Sequence, residues 1–189
     1  DLSSFYFDIR KDVLYCDDIN SKKRKDCIVV LNIILDCLLR WLAPILVFTT
    51  EEIYNLIKKG KSSIHELELN EIPDSWGNDV LGDKWKSLYK IKQEANIAIE
   101  EKRSSKEIGS SLEADIEIFV NKKEFDLMKG LDLAEYFITS KAKKTERKNE
   151  TEQRNIVVKK STGSKCDRCW KILKSDCERC AQVLNNLQS

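Results

Sequence analysis

Between Asp26 and Ile57 the chain carries its longest apolar run, DCIVVLNIILDCLLRWLAPILVFTTEEIYNLI. Ile28, Leu31, Leu35, Leu38 and Leu42 recur at steps of three and four, the spacing of one helix face. Val30, Ile34, Cys37 and Trp41 widen that face, so this helix must touch neighbours on more than one side. Asn32, Asp36 and Arg40 line the opposite stripe, with Asp36 and Arg40 placed to pair one turn apart. That polarity argues against a membrane span, which needs about 20 residues with few or no charges. Pro44 lacks a backbone donor and ends the helix near Leu42. Thr49-Thr50-Glu51-Glu52 has the form of a capping box, Thr49 capping a new helix and Glu52 reaching back to it. A helix this apolar cannot stand alone in water, so flanking segments must cover it.

Those segments carry their own periodicities. Leu2–Tyr15 reads as a helix with Leu2, Phe5, Tyr6, Ile9 and Val13 on one face and Asp8, Lys11 and Asp12 on the other. Cys16–Lys25 is a polar turn ending in Lys22-Lys23-Arg24-Lys25. Residues 58–83 hold Gly60, Pro73, Gly77 and Gly82 and read as a long connection. A further helix to about Lys102 has Trp85, Leu88, Ile91, Ala95 and Ile99 on its apolar face. Four such helices bury their stripes most economically as an antiparallel bundle. Beyond Arg103 the period changes. Leu112, Ala114, Ile116, Ile118 and Val120 alternate with polar residues as a strand does. Lys122–Lys129 suits a short helix, Tyr136–Ser140 a second strand, Lys141–Arg154 a mobile charged loop and Asn155–Lys160 a third strand. The expected chain is mainly α: a helical bundle over 1–103, a small α+β module over 104–160 and a zinc-binding module over 161–189.

Net charge is only +1 over 189 residues, yet it is unevenly spread: residues 1–140 sum to −6 and residues 141–180 to +7. A surface for a polyanion therefore belongs at the C-terminal end, unless that segment is simply a solvated tail. With 41% apolar and 34% charged residues a soluble, core-forming protein is expected. There is no signal segment or transmembrane run, and seven cysteines, an odd number, fit a reducing compartment, the cytoplasm. Residue 1 is Asp and the one methionine is Met128, so the sequence is expected to be a fragment or processed product.

The chemistry concentrates in Cys166-Asp-Arg-Cys169 and Cys177-Glu-Arg-Cys180. Each C-x2-C turn lets two thiolates converge on one ion, and two turns complete a tetrahedron that suits zinc, with an iron–sulfur cluster or disulfides as the competing readings. A closed four-thiolate site leaves no open position for substrate, so one structural Zn²⁺ is expected, stapling a module with little core of its own. Four thiolates leave about −2 of charge around that ion, which Lys165, Arg168, Lys171, Lys174 and Arg179 are placed to offset. Trp170, between Cys169 and Lys171, either stacks on an unpaired base or packs over the metal site. Cys16, Cys27 and Cys37 lack paired spacing, and His65 has no announced partners, so all four read as structural. No phosphate-cradling glycine loop or nucleophile motif is present, and no catalytic residue is expected.

FYFDIRKDVLYCD at 5–17 and LAPILVFTTEEIY at 42–54 resemble the anticodon-binding helical domain of bacterial isoleucyl-tRNA synthetases. WKSLYKIKQEANIAIEEKRSSKEIGSSLEA at 85–114 is similar to the segment that follows it there, and STGSKCDRCW with CERCAQVL to the C-terminal zinc module. The resemblance implies the C-terminal part of a class I aminoacyl-tRNA synthetase. ATP, Mg²⁺, isoleucine activation and editing would belong to other domains, whose signature motifs this sequence lacks. It implies tRNA as partner, the isoleucine acceptor, with no membrane and a monomeric state. By motif position the zinc ligands would be Cys166, Cys169, Cys177 and Cys180. Arg168 and Trp170 would meet anticodon bases, with Lys165, Lys171, Lys22 and Arg24 as further RNA contacts. The seven residues between the cysteine pairs are fewer than that family usually has. Two other classes stay open: a zinc-finger DNA-binding module like that of formamidopyrimidine-type glycosylases, and a zinc-stapled protein-interaction domain.

Overall fold

The computed structural model describes residues 2–59, 62–147 and 154–188, and the chain forms two compact units, Ile19–Asn78 and the remainder. Among the described residues, no helix is long and apolar enough to cross a membrane.

The smaller unit holds α2 (Lys22–Leu42) and α3 (Val47–Lys58). Ser21 caps α2, its Oγ accepting from the Arg24 backbone N–H at 3.2 Å, and Arg40 pairs with Asp36 at 3.2 Å as its spacing requires. The turn after Leu42 contains Pro44, but α3 starts earlier than the capping box implies. Its N-cap position is Leu46, with no side-chain cap. Thr50 instead donates back to the Leu46 carbonyl at 2.9 Å, and Glu51 accepts from the Ser63 hydroxyl and the Ile64 N–H, each at 2.9 Å. Glu51, the neighbour of the carboxylate expected to close a cap, thus pins the following loop. Those bonds hold the Glu51 carboxyl below its usual range, the Ile64 N–H first. Leu39, Ala43, Tyr54 and Ile64 form this unit's small core, with Leu67 packed against it. The long connection contains two 3₁₀ turns, Ile64–Glu66 and Asp74–Trp76. Cover over the apolar run is partial, and Val29, Phe48 and Leu56 stay exposed.

The larger unit opens with a π-helical turn, Leu2–Phe7, which runs into α1 (Asp8–Cys16). Next in it comes α4 (Asp79–Ser104), then β1 (Ala114–Val120), α5 (Lys122–Leu127), α6 (Leu133–Phe137), β2 (Lys141–Glu146) and β3 (Asn155–Lys160). The three strands lie in the order β2-β1-β3, with β1 parallel to β2 (Asp115 opposite Lys141) and antiparallel to β3 (Ala114 opposite Lys160). Parallel neighbours need a crossover connection, and α5 and α6 supply it. Asn121 and Asp132 cap them, accepting from the Glu124 and Glu135 N–H groups at 2.9 and 3.0 Å.

Two expected elements therefore change. Tyr136–Ser140 is not a strand. Tyr136 and Phe137 end α6, which stops where Ile138 turns left-handed at φ 57°. Lys141–Glu146, expected to be loop, is an edge strand instead. Its lysines suit an edge, where charge blocks further pairing. Residues 148–153 of that expected loop lie outside the described residues.

β1 alternates buried and half-buried residues along its length. Its inner side meets α4: Leu88, Ile91, Ala95 and Ile99 share one core with Ile116, Ile118, Val120, Met128, Phe137 and Val158. Leu88, Ala95 and Ile118 are fully buried, and each large side chain of that kind stabilises by about 1.5–3 kcal/mol. Phe5 brings the π-helical turn into the same core, edge-on to Tyr89 and Tyr136 at 5.4 and 6.2 Å. The compact units thus do not divide at residue 103, because α4 carries its apolar face onto the sheet. Lys92 of α4 is buried and donates to the Tyr136 carbonyl at 2.7 Å. Burial lowers its pKa to about 8.

Candidate metal centre and nucleic-acid interface

The last segment folds as a knuckle on a two-stranded ribbon, β4 (Ser164–Lys165) and β5 (Ile172–Leu173), followed by α7 (Glu178–Gln188). Gly163 enters it at φ 135°, and a Cβ there would sit 2.0 Å from the Leu173 carbonyl oxygen, so only glycine fits. The Trp170 N–H closes the first turn on the Cys166 carbonyl at 2.8 Å, and the Cys166 N–H bonds the Lys171 carbonyl at 3.0 Å. Cys177 stands before α7, its carbonyl accepting from Ala181 at 2.9 Å.

Local turns therefore converge four sulfurs. The Sγ atoms of Cys166, Cys169, Cys177 and Cys180 all lie within 4.8 Å of one another, Cys169 and Cys177 at 3.8 Å. A tetrahedron with metal–sulfur bonds of about 2.3 Å has edges of roughly 3.8 Å, so the cluster fits a single four-coordinate ion. Every described cysteine is a free thiol, and 3.8 Å is far outside disulfide bonding distance. Burial pushes the Cys169 and Cys180 thiols up. It acts on Cys166 as well, but there the Cys169 and Arg168 N–H groups prevail and bring the thiol down to about 7.

This knuckle sits on the end of α1. Arg168 donates to the Tyr15 carbonyl at 3.1 Å and to the Cys16 carbonyl, and it approaches Cys180 Sγ at 3.7 Å. It thus satisfies carbonyls that a helix C-terminus leaves without intrahelical partners. Arg179 forks onto Asp12 at 2.7 and 3.0 Å and reaches Asp17 at 3.1 Å. Burial raises the Asp12 carboxyl, yet Arg179 outweighs it and the net shift is downward. Cys16 packs beside Cys169 and Cys180, and burial pushes its thiol up to about 11. From β5, the Ile172 N–H donates to Ser140 Oγ at 2.6 Å. Beside the contact lies a largely apolar cavity of about 270 Å³, with Ile9, Tyr15, Leu112, Ile138 and Trp170 among its walls.

A sequence profile for the family described as "Anticodon-binding domain of tRNA ligase" matches residues 1–118. The chain belongs to that family. It is 53% identical over 179 residues to the isoleucine–tRNA ligase of Pelagibacter ubique, covering 95% of this chain and 20% of that protein. With the isoleucine–tRNA ligase of Gluconobacter oxydans identity is 35%, over 98% of this chain and 20% of the relative. With that of Agrobacterium fabrum it is 39%, over 91% and 19%. The chain thus spans about a fifth of the length of these curated relatives.

The expected RNA contacts are disposed unequally, four of them on the knuckle beyond the matched residues 1–118. Trp170 is 59% exposed, held at φ 63°, with the Lys165 ammonium 5.5 Å from its ring centre. Lys165 is exposed and Lys171 half-buried on the same knuckle, so Lys165, Arg168, Trp170 and Lys171 come together. The Arg168 guanidinium faces the end of α1. Lys22 and Arg24 belong to the other unit, in the first turn of α2, where Lys22 pairs with Asp26. His65 bonds the Val47 carbonyl through Nε2 at 3.2 Å. Sequence reasoning assigned Arg179 only to offsetting sulfur charge and put Asp12 on a polar helix face. Their pairing joins residues 167 apart, and no local spacing announces it.

Proposed function

We propose that this chain is the anticodon-gripping part of an isoleucine–tRNA ligase, and that the ATP-dependent charging reaction occurs in other domains of that enzyme. The observation that carries this reading is continuous similarity to isoleucine–tRNA ligases over 95% of the chain, through the anticodon-binding family match and on into the four-cysteine knuckle. In this reading the ion is one Zn²⁺, favoured by four soft thiolates at tetrahedral spacing. It fixes the knuckle and takes no part in the chemistry. Trp170 stacks on an unpaired anticodon base, a role that suits an exposed aromatic on a rigid turn. Lys165 and Lys171 hold the adjoining phosphates, Lys22 and Arg24 meet the RNA backbone, and Arg168, expected at a base edge, instead seats the knuckle on α1. The helices of residues 1–103 and the zinc module 161–189 both engage the anticodon arm, with the α+β module 104–160 between them in the chain. The chain acts as a monomer in the cytoplasm.

Binding of the chain to an RNA hairpin carrying an isoleucine anticodon, against the same hairpin with the anticodon replaced, tests the proposal. Discrimination of about tenfold or more supports it. Equal affinity for both, or a preference for duplex DNA, contradicts it. The glycosylase-like reading loses ground because residues 1–118 match an anticodon-binding family.

A further inference from the structure

The knuckle has almost no apolar core: its buried cluster consists of its own cysteines and Cys16. What fixes its orientation must then be polar. Among the described residues, the bonds that tie it to the rest of its unit include those from Arg168 to the α1 carbonyls, from the Ile172 N–H to Ser140, and, third, from Arg179 to two carboxylates. The third differs in kind. The Arg179 fork meets both oxygens of Asp12 and one of Asp17, and its side chain is 33% exposed against 24% and 13% for its partners. Bidentate geometry and partial burial set it apart from ordinary surface ion pairs. Arg179 also stands between Cys177 and Cys180 in the chain. Its backbone is therefore positioned by the metal site, while its guanidinium is positioned by α1.

We propose that Arg179, latched onto Asp12 and Asp17, is a positioning residue that sets the angle of the metal-bound knuckle on α1 and so the place where Trp170 meets RNA. This rests on the anticodon-binding reading above. Arg179 itself does not touch the RNA in this account, because both ends of its fork are occupied by carboxylates. Asn186 of α7, bonded to Asp18 at 3.0 Å, extends the same contact by two turns. The consequence is that metal content and RNA affinity separate. The four sulfurs hold the ion with or without the latch, but only a latched knuckle presents Trp170 in register.

The test uses the zinc-loaded chain with Arg179→Ala, Arg179→Lys and the exchanged pair Asp12→Arg with Arg179→Asp. Zinc stoichiometry, amide exchange over residues 12–18 and 165–173, and affinity for the isoleucine anticodon hairpin are read on each. The expected result for Arg179→Ala is full zinc, exchange faster by about tenfold or more in both segments, and hairpin affinity lower by about tenfold or more. Arg179→Lys, which keeps the charge and loses the fork, falls between, and the exchanged pair recovers affinity to within about threefold of the native chain. Weakened binding with unchanged exchange and no recovery in the exchanged pair means that Arg179 contacts RNA directly, which overturns the latch. Unchanged affinity in Arg179→Ala overturns it too, as does loss of zinc in both single variants. Should the native chain fail to bind the hairpin, the anticodon reading fails instead, and the exchange data alone decide whether the latch exists.

Discussion

Trp170→Gly removes a ring and frees a backbone in one step, so its two effects can be weighed separately. Trp170 sits at φ 63°, a left-handed conformation that costs a non-glycine residue roughly 1 kcal/mol. The ring is 59% exposed, so about two-fifths of a side chain of about 250 Å² is covered, roughly 100 Å². At about 25 cal/mol/Å² that burial is worth at most about 2.5 kcal/mol, nearer 1.7 once compactness of the unfolded chain is allowed for. Trp170→Ala loses the burial and keeps the strain, so it should destabilise by about 1.7 kcal/mol; Trp170→Gly recovers about 1 kcal/mol and should be the more stable of the two. RNA binding must rank differently. A stacked base is worth about 1–3 kcal/mol, so both variants should weaken the hairpin by about 5- to 150-fold, while Trp170→Phe keeps most of the affinity. Urea melts, zinc assay and hairpin titration on the three variants measure this. Were Trp170→Gly the less stable variant, or affinity to follow stability across the series, Trp170 would be a packing residue and the stacking argument would be wrong.

Cys177→Ser should abolish tight zinc binding and raise amide exchange across 164–188 while leaving the helical far-ultraviolet signal of α2, α3 and α4 in place; a cooperative loss of that signal would refute the staple's local role. Gly163→Ala forces a Cβ to within 2.0 Å of the Leu173 oxygen at φ 135°, and should lower stability of the knuckle by about 2 kcal/mol or more, read as weaker zinc retention against a chelator. Lys92, lowered by burial from its ordinary 10.5 to about 8, binds its proton less well folded than unfolded. Its burden on stability is full below about pH 8 and is lifted as pH rises toward 10.5. Native stability relative to Lys92→Met should thus improve across that window, by at most about 1.4 kcal/mol per pH unit, and a flat difference would show that Lys92 titrates normally.

The elements legible in the sequence are those whose own residues decide them. The period-two alternation of Ala114–Val120 and the three-four spacing of Leu88, Ile91, Ala95 and Ile99 place β1 and α4, and the paired cysteines announce the metal cluster without any fold. Lys141–Glu146 was illegible because its strand is made by the partner: KAKKTE has little strand preference, and its ladder to β1 supplies the reason to extend. Tyr136–Ser140 misleads in the opposite way: the Asp132 cap draws Tyr136 and Phe137 into α6, and Ile138 turns left-handed at its end. The compact units do not divide near Arg103, because an amphipathic stripe says how wide a face is, not what covers it. Arg179 and Asp12 could not be joined from sequence at all: each is an ordinary surface charge until the metal turns and α1 bring them together.

Most direct is a salt series: affinity of the chain for the isoleucine anticodon hairpin from low to high salt, with zinc loaded and after chelation. The account predicts steep log–log weakening with salt, as several phosphate contacts require, anticodon preference that persists at every salt, and loss of that preference once zinc is removed. Binding that ignores salt, or a preference that survives without zinc, would contradict the claim that the metal-fixed knuckle reads the anticodon.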